Sequence, residues 1–533
     1  MHEFWIDKTA REILEREKVL KKRLRPIRVE CGIGASGIPH VGSMSDAARA
    51  YGVALALEDL GVKSEFIAFS DDRDGLRRVP LGLPNWLEND LAKPVTNIKD
   101  PFGCHSSYGE HMSYLLIDAL EKVGIKFKFM SATRVYKKGL LNEQVHELLM
   151  NGDKVGKIVE KLTGQKKYVE MLPYFPVCES CGRIYTTRVL TVFPKEHRLL
   201  YICDQSFHAK NKNTGKDVLV KGCGYEGEKS YFNSDGKLNW KCEFAARWHA
   251  LKISFEAYGK DIADSVKVND AVCRKILKFE PPMHLMYEMF LDKAGKKISK
   301  SVGNVFTPQV WLRYGSPESL LLLMFKRFVG TRELDVTDIP AYMDEVDRLQ
   351  RIYFGLEKVR SKRDLINLRR LFEYIYLLNP PKKPSLQVPY SSMMEIAKVL
   401  PQRGQLEFAA KKLIEQGFVK ELTPPIKAEI KERLEFVKNW LRDFGKPKKV
   451  KVMLSANERK AIEDLIKAIE VERNGEKLQS KLFEIARINQ LNSSDFFKLL
   501  YKIIIGTESG PRLGPYLIEV GKRVIMEKLK EVL

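Results

Sequence analysis

The sequence has no apolar run long enough to cross a membrane, which takes about 20 residues. Its longest apolar run, SLLLLMF at 319–325, is far shorter. The opening stretch MHEFWIDKTAREILEREKVLKKRLR is interrupted by charges and has no apolar core of the kind found in export signals. We therefore expect a cytoplasmic protein that does not contact membranes.

Cysteine is also scarce, with 8 residues in a chain of 533. Without an export signal, a disulfide framework is excluded, which leaves metal binding, redox chemistry or burial. Four cysteines follow the pattern of a structural zinc ribbon whose second pair is spread apart: Cys178, Cys181, Cys203 and Cys223. A redox C-x-x-C pair or unpaired burial are the alternatives. Cys31, Cys242 and Cys273 are interpreted as small buried apolar side chains.

Acidic residues are outnumbered: 69 Asp and Glu face 91 Lys and Arg, giving a formal net charge of +22. Such an excess indicates a polyanionic partner such as nucleic acid. The 44% hydrophobic and 30% charged content is ordinary for a globular protein, and the length suits about three domains. We detect no repeat in the C-terminal third of the sequence.

A glycine-rich turn with a single histidine, GIGASGIPHVGSM at 32–44, lies between a predicted strand and a predicted helix. Alternation from Ile27 to Cys31 is typical of a strand, and helical spacing follows from Ala47 until Gly61. We expect this helix to begin after Gly42. The turn would aim unpaired backbone N–H groups and the positive end of the helix dipole at a phosphate.

Taken alone, this turn is weak evidence, because glycines also serve simple chain reversal. The spacing of Gly32, Gly34 and Gly37 meets the dinucleotide pattern G-x-G-x-x-G only in part, since the helix begins late. A mononucleotide is the better prediction.

A second phosphate-directed loop is predicted about 250 residues later, in LDKAGKKISKSVGN at 291–304. Lys297 and Lys300 flank Ser299, and Gly295 and Gly303 bracket the loop. Two mobile ammonium groups suit a pyrophosphate whose charge grows as it leaves. A solvated surface loop is the alternative.

The pattern along the chain predicts an α/β protein with a parallel sheet, interrupted by an insertion and followed by helices. We expect four segments: a first catalytic half (1–99), an insertion carrying most Cys and His (100–235), a second catalytic half (236–340) and a helical domain (341–533). In the helical part, Ser455 and Glu458 form a predicted capping box.

Together the motifs resemble those of class I aminoacyl-tRNA synthetases, and specifically the class I lysyl-tRNA synthetases typical of archaea. SGIPHVGS resembles the HIGH motif and KISKS resembles KMSKS. The stretches DPFGCHSSYGEH, WKCEFAARW, FEAYGKD, MYE and SGPRLGPYL follow in family order. The resemblance implies a Rossmann-type catalytic domain, a zinc-bearing insertion and a helical anticodon-binding domain.

The resemblance also implies a reaction: lysine and ATP, with Mg²⁺, give lysyl-adenylate, and lysine passes to the 3′ end of tRNA(Lys). No DNA partner is expected. By the same resemblance, His40, Lys297 and Lys300 would be catalytic. The implied ATP-binding residues are Ser36, Gly37, His40, Gly42, Ser43, Lys297, Ser299 and Lys300.

The lysine pocket that the resemblance implies consists of Gly32, Gly34, Trp240, Ile262 and Tyr287. Two of these depart from the family, which usually has threonine at Gly34 and histidine at Ile262, and Ala35 stands where proline is usual. Because a hydroxyl and an imidazole are missing, we expect lysine affinity below the family norm.

A second metal cluster is predicted in DPFGCHSSYGEH, with Asp100, Cys104, His105 and His111 as ligands. The adjacent Cys104 and His105 would have to diverge around a turn to share one ion. Core or surface residues without metal are the alternative. The resemblance favours Zn²⁺, because the family has the same spacing and binds zinc there.

Two other functions fit some of these motifs. A non-synthetase nucleotidyltransferase could share both phosphate loops, although it would not need a long helical C-terminal part. A tRNA-binding synthetase paralogue with altered specificity or lost aminoacylation would fit Gly34 and Ile262.

Overall fold

The structure is a computed structural model and describes residues 4–21, 26–293, 306–401, 403–444, 453–505, 508–510 and 512–533. The chain divides into two compact units. The first comprises Met1–Leu312, Ser316–Tyr342 and Arg348–Lys382, and the second comprises Arg313–Gly315, Met343–Asp347 and Lys383–Leu533. The predicted loop residues Lys297, Ser299 and Lys300 lie outside the described residues.

A five-stranded parallel sheet forms the centre of the first unit. Its strands, from one edge to the other, are Met283–Tyr287, Ile253–Gly259, Ile27–Ile33, Ser64–Ser70 and Lys128–Ser131. The third-listed strand is first in sequence, so the strand order reverses beside it, as in a Rossmann-type half. The predicted α/β fold with a parallel sheet is confirmed.

The helices of the first unit cover this sheet and extend from it. They span Trp5–Val19, Val41–Asp59, Tyr108–Lys122, Ala132–Lys137, Asn142–Met150, Gly152–Thr163, Trp240–Leu251, Ala263–Lys275, Pro317–Phe325 and Lys362–Ile375, and most residues of Pro308–Tyr314 and Ile339–Tyr353 also belong to this unit. The helix after the glycine-rich turn begins at Val41, so Gly42 lies in its first turn rather than before it. Its end is marked by Gly61, whose φ of +79° favours glycine.

Most of the remaining strands come between Lys128–Ser131 and Ile253–Gly259 in the chain and form small sheets of their own. One is an antiparallel three-stranded sheet of Glu226–Ser230, Arg198–Ile202 and Arg188–Phe193. Another joins Arg78–Val79 to the antiparallel pair Ser206–Asn211 and Asp217–Lys221. Shorter strand pairs involve Tyr174–Phe175 with Lys237–Leu238 and Phe290–Leu291 with Arg332–Glu333.

Helices are the only regular secondary structure among the described residues of the second unit. Its helices span Tyr390–Lys398, Gln405–Glu415, Pro424–Phe444, Ala456–Val471, Gly475–Ile488, Ser493–Ile504, Leu513–Val520 and Lys522–Lys530. The predicted capping box is present, with Ser455 and Glu458 bonded reciprocally. On Pro424–Phe444, Ile430, Leu434 and Val437 are buried, in keeping with its apolar stripe.

The predicted division into four segments stays a prediction. It gives Arg348–Lys382 to the helical domain, whereas these residues pack within the first compact unit. Among the described residues, we find no helix whose length and apolar character would let it span a bilayer.

Candidate active site

A cavity of about 220 Å³ opens at the carboxyl ends of the sheet strands, beside the point where the strand order reverses. Open α/β sheets bind their ligands at this place. Eight residues predicted for ATP or lysine line the cavity: Gly32, Gly34, His40, Gly42, Ser43, Trp240, Ile262 and Tyr287. Ser36 and Gly37 lie in the same turn, outside this lining.

The glycine-rich turn places His40 at the N-cap of the helix Val41–Asp59. A Cβ atom at Gly42 would lie 2.6 Å from Cε1 of the His40 ring, so any larger residue would displace the imidazole. The Val41 N–H donates to the Phe306 carbonyl and the Ser43 N–H to the His40 carbonyl, so the attraction for an anion here comes chiefly from the positive end of the helix dipole. Because the His40 ring packs over the first turn of the helix, the position two residues after the histidine requires glycine.

The Trp240 indole forms one wall of the cavity and is held by a buried ion-pair cluster. Its Nε1–H donates to both oxygens of Asp74, at 3.2 and 3.1 Å. Asp74 also pairs with the buried Lys237, whose Nζ lies 2.7 Å from a carboxylate oxygen of Glu243. Because Asp74 bonds to the indole and is itself held by Lys237, the plane of the ring is set before any ligand binds.

Arg247 lines the cavity, is only 1% exposed and pairs with three carboxylates. It contacts Glu30 closely and lies 3.1 Å from both Asp71 and Glu256. Burial raises the pKa of Asp71 to about 7, against the opposing effect of Arg247. Burial likewise holds the pKa of Glu30 well above its usual value. One cation thus faces an excess of carboxylate, and the cluster favours an additional positive charge.

Another carboxylate at the cavity belongs to Asp46, which lies one turn after Ser43 in the helix Val41–Asp59. It accepts a hydrogen bond from the Tyr287 hydroxyl, and the Arg49 guanidinium lies 4.3 Å from the Tyr287 ring centroid. Burial raises the pKa of Asp46 to about 8, although the Tyr287 hydrogen bond and Arg49 oppose the shift. The Tyr287 side chain is thereby held at the cavity wall by the Asp46 carboxyl group and the Arg49 guanidinium.

The two departures from the family pattern both lie on the cavity. Ile262 is the N-cap of the helix Ala263–Lys275 and is half-buried. Gly34 lines the cavity in the glycine-rich turn. An isoleucine here offers the ligand an apolar surface without a hydrogen-bonding group.

The cluster Asp100, Cys104, His105 and His111 is drawn together around a turn. Cys104 Sγ lies 3.2 Å from His105 Nδ1 and 3.3 Å from His111 Nδ1, and the two ring nitrogens are 3.2 Å apart. These separations match ligands at about 2.0–2.3 Å from one tetrahedral zinc ion. Although burial opposes it, backbone N–H groups of Phe102, His105 and Cys104 lower the pKa of Asp100 to about 2.

The four-cysteine cluster has the same compactness. Cys178 and Cys223 have their sulfur atoms 3.6 Å apart, and Cys181 and Cys203 have theirs 3.7 Å apart. Sulfur ligands of a tetrahedral zinc at about 2.3 Å are separated by about 3.8 Å. All four ligand atoms lie within 4.8 Å of one another. Both donor sets therefore fit a zinc ion.

Comparison with known proteins decides the family. The family model described as tRNA synthetases class I (K) matches residues 3–374, more than half of the chain. This chain belongs to that family.

Relatives of this synthetase match over nearly its whole length. A lysine–tRNA ligase of Cenarchaeum symbiosum (strain A) is 44% identical over 521 residues, covering 98% of this chain and 97% of the relative. Lysine–tRNA ligases of Rickettsia bellii (strain OSU 85-389) and Roseobacter denitrificans are each 30% identical and cover 99% and 97% of this chain. The matched regions make up 98% of the Rickettsia relative and 94% of the Roseobacter relative.

Sequence reasoning missed most of the charged lining of the synthetase cavity. The cavity is also lined by Asp46, Asp71, Arg247, Glu256 and Asp261. Three of them stand inside quoted family stretches, namely Arg247 in WKCEFAARW and Glu256 and Asp261 in FEAYGKD. Asp71 is the exception, because it directly follows the strand Ser64–Ser70, at the end of a parallel sheet where ligand contacts are usual, and this position predicts its role. A signal for Asp46 was its position one helical turn after Ser43.

Proposed function

We propose that this class I synthetase is a lysine–tRNA ligase that forms lysyl-adenylate from lysine and ATP and transfers lysine to the 3′ end of tRNA(Lys). The main support for this proposal is the cavity, which joins the His40 turn to the charged cluster around Arg247. The relatives named as lysine–tRNA ligases support the same substrate.

In this proposal, carboxylates select the amino acid. Lysine carries two ammonium groups, and Asp71, Glu256, Asp46 and Asp261 line the cavity. Their charge is offset there by the Arg247 guanidinium, which is already shared among three acids. Trp240 and Tyr287 would enclose the aliphatic stem, since both rings are fixed by hydrogen bonds to carboxylates.

ATP would lie at the other end of the cavity, over the first turn of the helix Val41–Asp59. His40 would contact the phosphates and the positive end of the helix dipole would attract them, with Gly42 leaving room for the imidazole. Mg²⁺ would neutralise phosphate charge. Lys297 and Lys300, which lie outside the described residues, would stabilise the departing pyrophosphate as its charge grows.

Zinc is proposed for both four-ligand clusters as a structural ion. Each donor set has the spacing of a tetrahedral site, and Asp100 organises its own turn through three backbone N–H groups. Elemental analysis after dialysis should find two zinc ions per chain. Cys178→Ser should lower the unfolding midpoint rather than only slow catalysis, and a stable metal-free protein would contradict this.

The helical second unit is proposed to bind tRNA through its phosphates, consistent with the net charge of +22. Counterion release predicts that tRNA affinity falls steeply between low and physiological salt. Charge reversals of exposed Lys and Arg on Pro424–Phe444 should weaken binding. Unchanged affinity in those variants would remove this unit from the tRNA interface.

The function is tested by charging of tRNA(Lys) with each amino acid and by ATP–pyrophosphate exchange in its presence. Lysine alone should be transferred. Lys300→Ala should slow adenylate formation by roughly 10²–10³-fold and spare the transfer step, because pyrophosphate has already left. The exposed Lys275 provides the control Lys275→Ala, which should behave as wild type. Failure to charge any tRNA with lysine would overturn the proposal.

A further inference from the structure

The glycine-rich turn proposed to hold ATP is bonded from outside the cavity by one tyrosine. The Tyr108 hydroxyl donates a hydrogen bond to the Ser36 carbonyl at 3.1 Å. Tyr108 is fully buried in the first turn of the helix Tyr108–Lys122 and lies outside the lining of the cavity. Ser36 comes four residues before His40, so this hydrogen bond fixes the backbone of the turn close to the proposed ATP contact.

Apolar packing gives the Tyr108 ring a single place. Ala35 and Ile38 of the turn pack with Tyr108 and Val95 in one apolar cluster. The neighbouring Gly109 lies so close to Val95 that an added Cβ atom would be 2.8 Å from the Val95 Cγ2 atom. Because the ring is closely packed, its hydroxyl points in a defined direction.

The backbone around Tyr108 is held by the Asp100 cluster, the proposed metal site formed by Asp100, Cys104, His105 and His111. Asp100 comes two residues after Ile98, whose carbonyl accepts a hydrogen bond from the Tyr108 N–H at 2.9 Å. His111 lies about one helical turn after Tyr108, and its Nδ1 is 3.3 Å from an Asp100 carboxylate oxygen. An ion shared by Asp100 and His111 would therefore tie the loop before the helix to the first turn of the helix.

We infer that Tyr108 is a positioning residue for ATP binding and that the Asp100 cluster acts on the ATP site through it. The inference rests on the proposed function, because it uses the ATP site placed at the His40 turn. The Tyr108 hydroxyl holds the Ser36 carbonyl and so keeps the turn in one conformation. A turn that is ordered in advance loses less conformational entropy when the nucleotide binds.

The test uses the full chain and a matched pair of tyrosine variants. Tyr108→Phe keeps the ring in the apolar cluster and removes only the hydroxyl. Tyr174→Phe is the control, because the Tyr174 hydroxyl is also buried, lies 2.5 Å from Ser234 Oγ and is outside the cavity lining. Calorimetric titration measures the affinities for ATP and for lysine, and unfolding midpoints show whether each protein is folded.

Tyr108→Phe should weaken ATP binding about fivefold, because the hydrogen bond that orders the turn is lost. Its lysine affinity should stay within twofold of wild type. Tyr174→Phe should keep both affinities, although its unfolding midpoint falls as that of Tyr108→Phe does. Unchanged ATP affinity in Tyr108→Phe, or equal losses for ATP and lysine, would overturn the inference and leave Tyr108 with a structural role.

A double-mutant cycle tests the connection to the Asp100 cluster. Cys104 is exposed, so Cys104→Ser removes one ligand and little packing. Elemental analysis should then find one zinc ion fewer per chain than in wild type. Cys104→Ser should weaken ATP binding at least as much as Tyr108→Phe does, and combining the two changes should add less than twofold. Additive losses in the double variant would overturn the inference, since the cluster would then act by another route.

Charging of tRNA(Lys) with lysine by wild type is measured separately. A wild type that charges tRNA, while Tyr108→Phe keeps its ATP affinity, refutes the inference and leaves the proposed function intact. A wild type that binds ATP but charges no lysine overturns the proposed function, and the ATP affinities of the variants still decide the inference.

Discussion

Two cavities of the first unit share Trp240 and carry opposite charge. The one at the ends of the sheet strands is lined by Asp46, Asp71 and Glu256, whereas its neighbour, of about 480 Å³, has basic residues and no carboxylate in its described lining. One ring thus separates a site suited to a cationic amino acid from a site suited to a polyanion. Charge would direct each substrate to its side before any specific contact forms.

The cavities also differ in how their charges are solvated. Arg247 is 1% exposed, and the pKa of Asp71 beside it is raised by burial. A basic groove continues from the neighbouring cavity, and most of its cations, such as Arg78 and Lys210, are exposed. Buried charges respond to pH through their pKa values, and exposed charges respond to salt through screening. The acidic side should therefore be sensitive to pH and the basic side to ionic strength.

The largest effect is expected from removing the cation of the acidic side. Arg247→Met leaves Glu30, Asp71 and Glu256 without their shared partner, and breaking such a buried network costs about 3–5 kcal/mol of unfolding free energy. Urea denaturation measures the loss. Glu256→Gln in the same cluster should cost less, because it removes an acid from an excess. Equal stability of Arg247→Met and wild type would show that the cluster is not charged.

The next largest effect is expected on how folding stability and lysine affinity depend on pH. The pKa of Asp71 is raised to about 7 and that of Asp46 to about 8, from an ordinary value of 3.8. Between pH 3.8 and these raised pKa values, the folded protein holds protons that the unfolded chain has released. These two groups therefore make the free energy of unfolding fall as pH rises towards 8. Bound lysine favours the ionised acids, so lysine affinity should rise between pH 6 and 8.

Calorimetric titration of lysine in buffers of different ionisation enthalpy measures the protons released on binding. Asp71→Asn should flatten the pH dependence by removing one of the two groups. A lysine affinity that is flat from pH 6 to 8 in wild type would contradict the charge assigned to this cavity.

A smaller change is expected at Ile262. Replacing it by histidine supplies a polar group where the cavity has an apolar one, and a regained contact is worth about 1 kcal/mol or more. Ile262→His should therefore tighten lysine binding about fivefold, as measured by equilibrium binding. Ile262→Leu is the control for shape. Weaker binding in Ile262→His would mean that the pocket is built for another amino acid.

The smallest effect is expected from removing zinc, which should weaken tRNA binding more than lysine binding. Cys203 and Cys223 flank the hairpin that carries Phe207 and Lys210, since Gly222 N–H donates to the Gln205 carbonyl at its base. Removing zinc should loosen this hairpin and weaken tRNA binding by a fewfold, while lysine affinity stays within twofold. Chelation followed by both titrations checks this, and equal losses for both ligands would contradict it.

Much of the fold followed from local pattern. Alternation predicted the strand Ile27–Ile33, and helical spacing predicted Val41–Asp59 with only its first residues misplaced. The helix begins two residues earlier than expected because His40 supplies the N-cap and Gly42 tolerates the helical turn under the ring. The Ser455 capping box was readable because all of its partners lie within four residues.

The charged cluster could not be predicted in the same way. Glu30, Asp71, Arg247 and Glu256 come from four separate segments and meet only when the parallel sheet forms. Local periodicity contains no information on such contacts. The basic cavity was missed for a similar reason, because Arg77 follows the second sheet strand whereas Phe207 and Lys241 come more than 100 residues later.

The most direct measurement titrates both lysine and tRNA(Lys) into two variants, Asp71→Asn and the double change Lys210→Glu with Lys212→Glu. If the cavities sort ligands by charge, Asp71→Asn loses lysine affinity and keeps tRNA affinity, and the double variant does the reverse. Parallel losses of both ligands in both variants would contradict the division of the site at Trp240.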